Sequence, residues 1–306
     1  MTVKYVEKAY AKINLSLDIL GRRADNLHEL CSLVAFASNV YDLITVTPSK
    51  NFSFKISGPF SGEIYGKNII VSVIERITEV FPGIGLGSIE LDKRLPVAAG
   101  LGGGSADVAA VLRAIARING ISDIETVFYN ICLDIGADVL VCLQSGSARS
   151  ALMWGTGELV WRPPCIARDL IPEGIGLLLV NPGVSLSTED VFRVVRCPVS
   201  EITTKPCKAF YSFRTFDELV VYMKNTKNDL EKPAFSIEPV IKKVLFELRA
   251  LPGCYIARMS GSGATCFGLF RNLSQAQLAK KQLLIRKPQW WIETTLLGLH
   301  NENYPL

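Results

Sequence analysis

With 306 residues, 49% of them hydrophobic and 20% charged, the chain can fill one large core or two ordinary ones, and it lacks the composition of a disordered segment. Its net charge of +4 is mild, and no Lys/Arg run with interleaved aromatics occurs, so nucleic acid is not an expected partner. No apolar run reaches the roughly 18 residues of a membrane span, and no apolar h-region follows the N-terminal Met-Thr-Val-Lys, so neither a membrane segment nor a signal peptide is expected.

From Lys12 to Leu20 apolar and polar residues alternate strictly, which predicts a half-buried strand. Ile13, Leu15, Leu17 and Ile19 take one face; Lys12, Asn14, Ser16 and Asp18 take the other, expected to be exposed. Residues 21–26 read as a turn. Short strands are expected at Leu43–Thr47 and Phe52–Ile56, and a helix at Asn68–Val80 stopped by Phe81-Pro82-Gly83. A strand at Ser88–Leu91 leads into a glycine-rich run, followed by a helix at 105–118 that Asn119-Gly120 ends. Ile124–Leu133 reads as helix, and Gly136–Leu143 as a turn running into a buried strand.

Trp161-Arg162-Pro163-Pro164 and Pro172-Glu173-Gly174 punctuate the middle of the chain, which places a domain boundary between residues 165 and 166. Beyond it a strand at Gly176–Val180 is closed by Asn181-Pro182-Gly183. Helices are expected near Thr188–Val195, Phe216–Met223 and Ile237–Leu251. Strands at Tyr255–Met259 and Cys266–Phe270 flank Gly261-Ser262-Gly263, and a helix at Ser274–Arg286 and a strand from Trp291 to Leu299 finish the chain. Strands and helices mix without steady β-α-β alternation, so the fold class is α+β.

The most informative run is Leu95-Pro96-Val97-Ala98-Ala99-Gly100-Leu101-Gly102-Gly103-Gly104-Ser105-Ala106-Asp107. Its glycines allow close approach to the backbone, and the helix that follows offers unpaired N–H groups and the positive end of its dipole. Such a loop suits a phosphate. It is neither a G-x-x-x-x-G-K-[ST] loop nor a dinucleotide fingerprint, because Asp107 stands where a third glycine would be. Eight scattered cysteines without a C-x-x-C pair, and two histidines, argue against zinc. Most of these cysteines lie in apolar runs, as Cys142 does, and read as buried free thiols suited to a reducing cytoplasm. Asp138, between a glycine turn and an apolar run, reads equally as a cap or as a paired functional carboxylate. Lys12 by itself is an ordinary surface lysine.

Taken together, Ala11-Lys12-Ile13-Asn14-Leu15, Gly21-Arg22-Arg23-Ala24-Asp25, His28-Glu29-Leu30, the glycine loop, Gly136-Ala137-Asp138, Asn181-Pro182-Gly183-Val184 with Thr188 and Phe192, Asn228-Asp229 and Gly261-Ser262-Gly263-Ala264 resemble the GHMP kinase family of galacto-, homoserine, mevalonate and phosphomevalonate kinases. The resemblance runs from about residue 8 to about residue 270. It implies two α+β domains with the active site in the cleft between them: an ATP-binding domain over residues 1–165 and a substrate-binding domain over 166–306. Residues 96–106 would hold the ATP phosphates, with Asn68 near the nucleotide and Ser105 a ligand of Mg²⁺. Asp138 would be the catalytic base and Lys12 its charged neighbour.

The branch it is most like implies an alcohol acceptor carrying cytidine, a cytidylated methylerythritol. Asn14, Leu27, His28, Asp138, Thr188 and Phe192 would line its pocket, with His28 reading the cytosine edge and Phe192 packing on the base. Where the family has Gly-Tyr-His this chain has Asn26-Leu27-His28, so a leucine replaces the ring that would stack on cytosine. Small-molecule substrates, a cytoplasmic location and a monomer or homodimer are the accompanying expectations. Rival readings are a homoserine- or mevalonate-type kinase, a nucleotide-binding oxidoreductase, or a silent nucleotide-binding module. The missing dinucleotide fingerprint and the early lysine-bearing strand argue against the oxidoreductase, and a silent module would need neither Lys12 nor Asp138.

Overall fold

The computed structural model describes residues 3–144, 150–161, 174–197, 199 and 213–298. The expected strand at 12–20 is split in two. β1 (Tyr5–Asn14) ends early, and β2 (Asp18–Arg22) follows it. At the break the N–H groups of Leu15 and Ser16 both donate to the Leu33 carbonyl, at 2.8 and 3.3 Å, so one acceptor serves two residues and the ladder slips. No glycine or proline lies between His28 and Thr47, and the whole span is one strand, β3 (His28–Thr47), of which the expected 43–47 segment is the end.

Contacts group the described residues into two compact units, each discontinuous in sequence. The first holds residues 3–11, 41–97 and 102–144; the second holds 12–40, 98–101 and the described residues from 150 onward. β1 and β3 therefore each belong partly to one unit and partly to the other. The expected boundary at 165/166 lies outside the described residues.

In the first unit, β4 (Ser53–Ser57) runs parallel to β5 (Ser88–Asp92), which pairs antiparallel with the Leu43–Thr47 end of β3. Four helices complete it: α1 (Ile69–Val80), α2 (Gly103–Asn119), α3 (Ile124–Ile135) and α4 (Ala137–Gln144). α2 is buried continuously from Ala106 to Leu112, and its many alanines let α1, α3 and α4 pack closely around it. Gly120, in the left-handed region at φ 65°, ends α2 as the Asn-Gly stop predicts. The expected strand after Gly136 is instead α4. A short apolar run does not distinguish a buried strand from a buried helix, and here α2 and α3 cover Val139–Leu143.

In the second unit, β2 pairs with β3, and β3 pairs with β6 (Ala151–Gly155), which pairs with β7 (Leu159–Trp161). A further group centres on β8 (Ile175–Asn181), buried at every residue. Its helices are α5 (Thr188–Arg193), α6 (Phe216–Lys224), α7 (Glu231–Ile237), α8 (Val240–Arg249) and α9 (Leu273–Arg286). β10 (Cys266–Phe270) and β11 (Trp291–Leu297) flank β8 antiparallel, with Val180 opposite Cys266 and Ile292, and β9 (Ile256–Met259) pairs on the far side of β10. Leu178, Val180, Ile241, Val244, Leu248 and Phe270 form the centre of this core.

Cys132, Cys142, Cys197, Cys254 and Cys266 are free, whereas Cys31 is disulfide-bonded, an exception to the free-thiol reading. Burial pushes Cys132 up to about 12 and Cys254 to about 11, so neither is a thiolate at neutral pH. No helix among the described residues is long and apolar enough to cross a membrane.

Candidate active site

The polar face of β1 is not exposed, as alternation alone suggested. Lys12 and Asn14 on β1, and Ser16 just past its end, are 3, 3 and 2% accessible, and the Ser16 hydroxyl lies 2.9 Å from that of Tyr222 in α6. The Lys12 ammonium donates to Asn14 Oδ1 at 3.3 Å, one pleat repeat away, so the two side chains do share a face. Asn14 Nδ2 donates to Ser32 Oγ at 2.8 Å, which fixes the amide in place. The Lys12 N–H donates to the Leu101 carbonyl at 2.8 Å and ties the strand to the glycine loop.

The glycine loop has two parts. Ala98–Leu101 belongs to the second unit and lies on the segment Ser260–Thr265. Ser260 Oγ donates to the Gly100 carbonyl at 2.8 Å and accepts from the Asn14 N–H at 3.2 Å, so one hydroxyl joins three sequence-distant motifs. Thr265 N–H donates to the Ala99 carbonyl at 3.1 Å, and Leu186 N–H to the Ala98 carbonyl at 3.2 Å. Asn228 Nδ2 donates to the carbonyls of Met259 and Gly261, both at 2.8 Å, and holds the Ser260 segment from its other side.

Gly102 onward belongs to the first unit, as do Pro96 and Val97. Positive φ falls at Ala98 (48°), Gly100 (72°) and Gly102 (62°), while Gly103 is already the first helical residue. The loop thus turns three times before α2 begins, leaving Gly103, Gly104, Ser105 and Ala106 as its first turn with N–H groups at its N-terminus.

Also in the first unit, Asn68 is the N-cap of α1, its Oδ1 accepting from Ile70 N–H at 2.8 Å. A Cβ added at Gly104 would stand 3.7 Å from Ile69, so the starts of α1 and α2 are neighbours, consistent with an Asn68 close to the phosphate loop. Cap and ligand contact separate by substitution. Asn68→Ala should cost about 1 kcal/mol of stability, and Asn68→Ser should restore it. A nucleotide affinity that Asn68→Ser fails to restore, measured by calorimetry, would assign the amide a contact beyond the cap. Asp138 stands in the first turn of α4, partly exposed, at the end of the helix dipole that favours a carboxylate.

Of the residues expected at the acceptor, Asn14, Leu27, His28, Thr188 and Phe192 belong to the second unit and Asp138 to the first. The His28 and Phe192 rings lie 5.2 Å apart, tilted by 42°, although 164 positions separate them in sequence. His28 Nε2 is buried without a hydrogen-bond partner. Burial and the nearby Arg22 guanidinium push the imidazole below its ordinary value, so at pH 7 it is neutral and offers both a donor and an acceptor. Leu27 is exposed at the hairpin tip. Thr188 Oγ1 and Ser262 Oγ are 2.8 Å apart. Ser260 and Thr265 escaped the sequence reading, and Asn228 and Ser262 entered it only as members of motifs, without a role; the recurrence of small polar residues around Gly261 and Gly263 was the available signal. Lys12 lies in the second unit and Asp138 in the first.

Among the described residues no group of three His, Cys, Asp or Glu is arranged to hold a metal.

The model of the GHMP kinases N terminal domain matches residues 68–146, and that of the GHMP kinases C terminal region matches 208–288. The chain is 39% identical to the 4-diphosphocytidyl-2-C-methyl-D-erythritol kinase of Parvibaculum lavamentivorans, over 97% of this chain and 100% of the relative. It is similar to the crystal structure of a 4-(cytidine 5'-diphospho)-2C-methyl-D-erythritol kinase, with 30% identity and a TM-score of 0.70, covering 96% of this chain and 99% of the other. A homoserine kinase from Cytophaga hutchinsonii shares the fold at 16% identity and a TM-score of 0.67, covering 97% of this chain and 95% of the other.

Proposed function

The chain belongs to the GHMP kinase family, and from that premise we propose that it transfers the γ-phosphoryl group of ATP to the 2-hydroxyl of 4-diphosphocytidyl-2-C-methyl-D-erythritol, a step of non-mevalonate isoprenoid synthesis. The observation that carries this reading is similarity over nearly the full length of both chains to kinases of that name. The His28–Phe192 pair supports it, since a neutral imidazole beside an aromatic ring suits the edge and face of a pyrimidine.

In the reaction the acceptor oxygen forms a bond to the γ-phosphorus as the bond to the β-phosphate bridging oxygen breaks, and ADP leaves. Phosphoryl transfer asks mainly for positioning and charge stabilisation. The loop from Pro96 to Ala106 supplies backbone donors, and the start of α2 its dipole, to the phosphates. Asp138 accepts the proton of the acceptor hydroxyl. Lys12, held by Asn14, balances charge on the moving group. Mg²⁺ fits the donor set, because this ion takes one or two protein oxygens with substrate phosphates and waters, and Ser105 in the first turn of α2 offers one hydroxyl. When bound, Mg²⁺ neutralises phosphate charge. The buried free thiols Cys132, Cys142 and Cys266 favour a reducing, cytoplasmic setting, to which the Cys31 disulfide is the exception.

ATP consumption by the purified protein over a panel of alcohols tests the reading: turnover is expected with the cytidylated methylerythritol and not with homoserine or mevalonate. The cytosine subsite has its own test. With leucine at position 27, Phe192 is the ring left to stack, and a base stack contributes about 1–3 kcal/mol. Phe192→Ala should therefore raise the acceptor KM by about tenfold or more and leave that of ATP alone. Leu27→Tyr should hold or lower the acceptor KM. An unchanged acceptor KM in Phe192→Ala would move cytosine away from this ring.

A further inference from the structure

Three charged side chains of the first unit that play no part in the reaction described above are buried together. Asp42 on β3, Lys93 just after β5 and Asp107 in α2 are 0, 4 and 3% accessible. Lys93 Nζ donates to Asp42 Oδ2 at 2.5 Å and to Asp107 Oδ2 at 2.7 Å. Asp42 Oδ1 accepts from two successive backbone N–H groups, Arg94 at 2.5 Å and Leu95 at 2.8 Å. Asp107 Oδ1 is buried without a partner.

One carboxylate thus pins the chain immediately before Pro96, where the glycine loop begins. The lysine links that anchor to the second turn of the helix that ends the loop. A Cβ added at Gly103 would stand 3.1 Å from Lys93 Nζ and 3.6 Å from Asp42 Oδ2, so the ammonium lies directly under the first residue of α2. Buried charges of this kind are often replaceable by apolar groups at no loss of stability, so stability by itself is a weak reason for keeping three of them. Their geometry offers a better one: each bond joins one border of the loop to the other or to the sheet.

We propose that Asp42, Lys93 and Asp107 are positioning residues for nucleotide binding, holding the entry of the phosphate loop and the start of α2 at a fixed spacing. The proposal rests on the kinase reading for its ligand. The three groups are too buried to touch nucleotide themselves, and they act through the backbone that does. Removing the ammonium leaves two carboxylates facing each other across the loop's anchor, and the spacing relaxes.

The test uses Lys93→Met and Asp107→Asn in the full chain, with ADP as the calorimetric probe and melting temperature measured beside it. In Lys93→Met the ADP Kd should rise roughly 10–100-fold, the usual cost of a slight misplacement, with the acceptor KM within about threefold. Asp107→Asn, which keeps an oxygen for Lys93 to bond, should weaken ADP by less, roughly 3–10-fold. Amide exchange at residues 99–104 should quicken in both variants, while α9 stays protected. A folded Lys93→Met with wild-type ADP affinity and unchanged loop exchange overturns the proposal. Should Lys93→Met fail to fold, an unchanged ADP Kd in Asp107→Asn overturns it instead. If the wild-type protein binds no ADP, the kinase reading fails, and loop exchange alone decides whether the triad sets the loop.

Discussion

Asp138→Asn should lower kcat by roughly 10²–10⁴-fold, the usual range for losing a positioned base. Asparagine matches aspartate in shape and keeps a side-chain oxygen, but it takes no proton from the acceptor hydroxyl. The change sits in the first turn of α4, where the carboxylate gains about 0.3–1 kcal/mol from the helix dipole, so the fold should survive its loss. ADP affinity and acceptor KM should stay within about threefold of wild type, since the lost interaction belongs to the transition state. Steady-state kinetics with melting temperature as control decides the matter. A kcat within about threefold of wild type would reduce Asp138 to a helix-end aspartate, the bland reading that its position equally permits.

Gly100→Ala should be nearly as damaging, and through the backbone. Gly100 takes φ 72°, where a β-carbon costs about 1–2 kcal/mol. The added carbon would also stand 2.3 Å from the Ser260 carbonyl oxygen and 2.8 Å from Gly263 N, both main-chain atoms that no rotamer change can move. The Ala98–Leu101 segment must then lift off Ser260, breaking the bonds that Ser260 Oγ and Thr265 N–H make to it. Nucleotide affinity should fall by about tenfold or more, read by calorimetry with ADP, with a lower melting temperature. Gly104→Ala supplies the contrast, since its β-carbon would meet Ile69 at an ordinary 3.7 Å and φ there is not positive. A Gly100→Ala protein with wild-type affinity would mean that the loop's contact with the Ser260 segment is incidental.

Much of this protein was legible in its residues. Stops and starts are local chemistry, so the beginning of α1 at Asn68 and the end of α2 at Asn119-Gly120 are read from the residues, and the structure displays the Asn68 cap bond and the positive φ of Gly120. The glycine loop, with its abrupt passage into helix, is likewise a local signal, and the ordered set of motifs was enough to place the family. What pattern could not supply was burial on the second face of a strand. Alternation says that Lys12 and Asn14 share a side of β1, but not that Ser260 and Leu101, distant in sequence, would close over it. Nor could period distinguish α4 from a strand, because five apolar residues in a row look alike in either form, and the packing of α2 and α3 around them decides.

The meeting of His28 with Phe192, and of Lys93 with Asp42 and Asp107, is of the same kind. Each residue read singly is an ordinary surface or turn residue. Its role depends on partners 14 to 164 positions away, brought close by strand register and helix packing. The sequence by itself determined most of the elements and the chemistry on offer, since both depend largely on neighbours along the chain. Only the tertiary structure decided which polar groups would lose their water, because burial is a property of everything that packs around a residue.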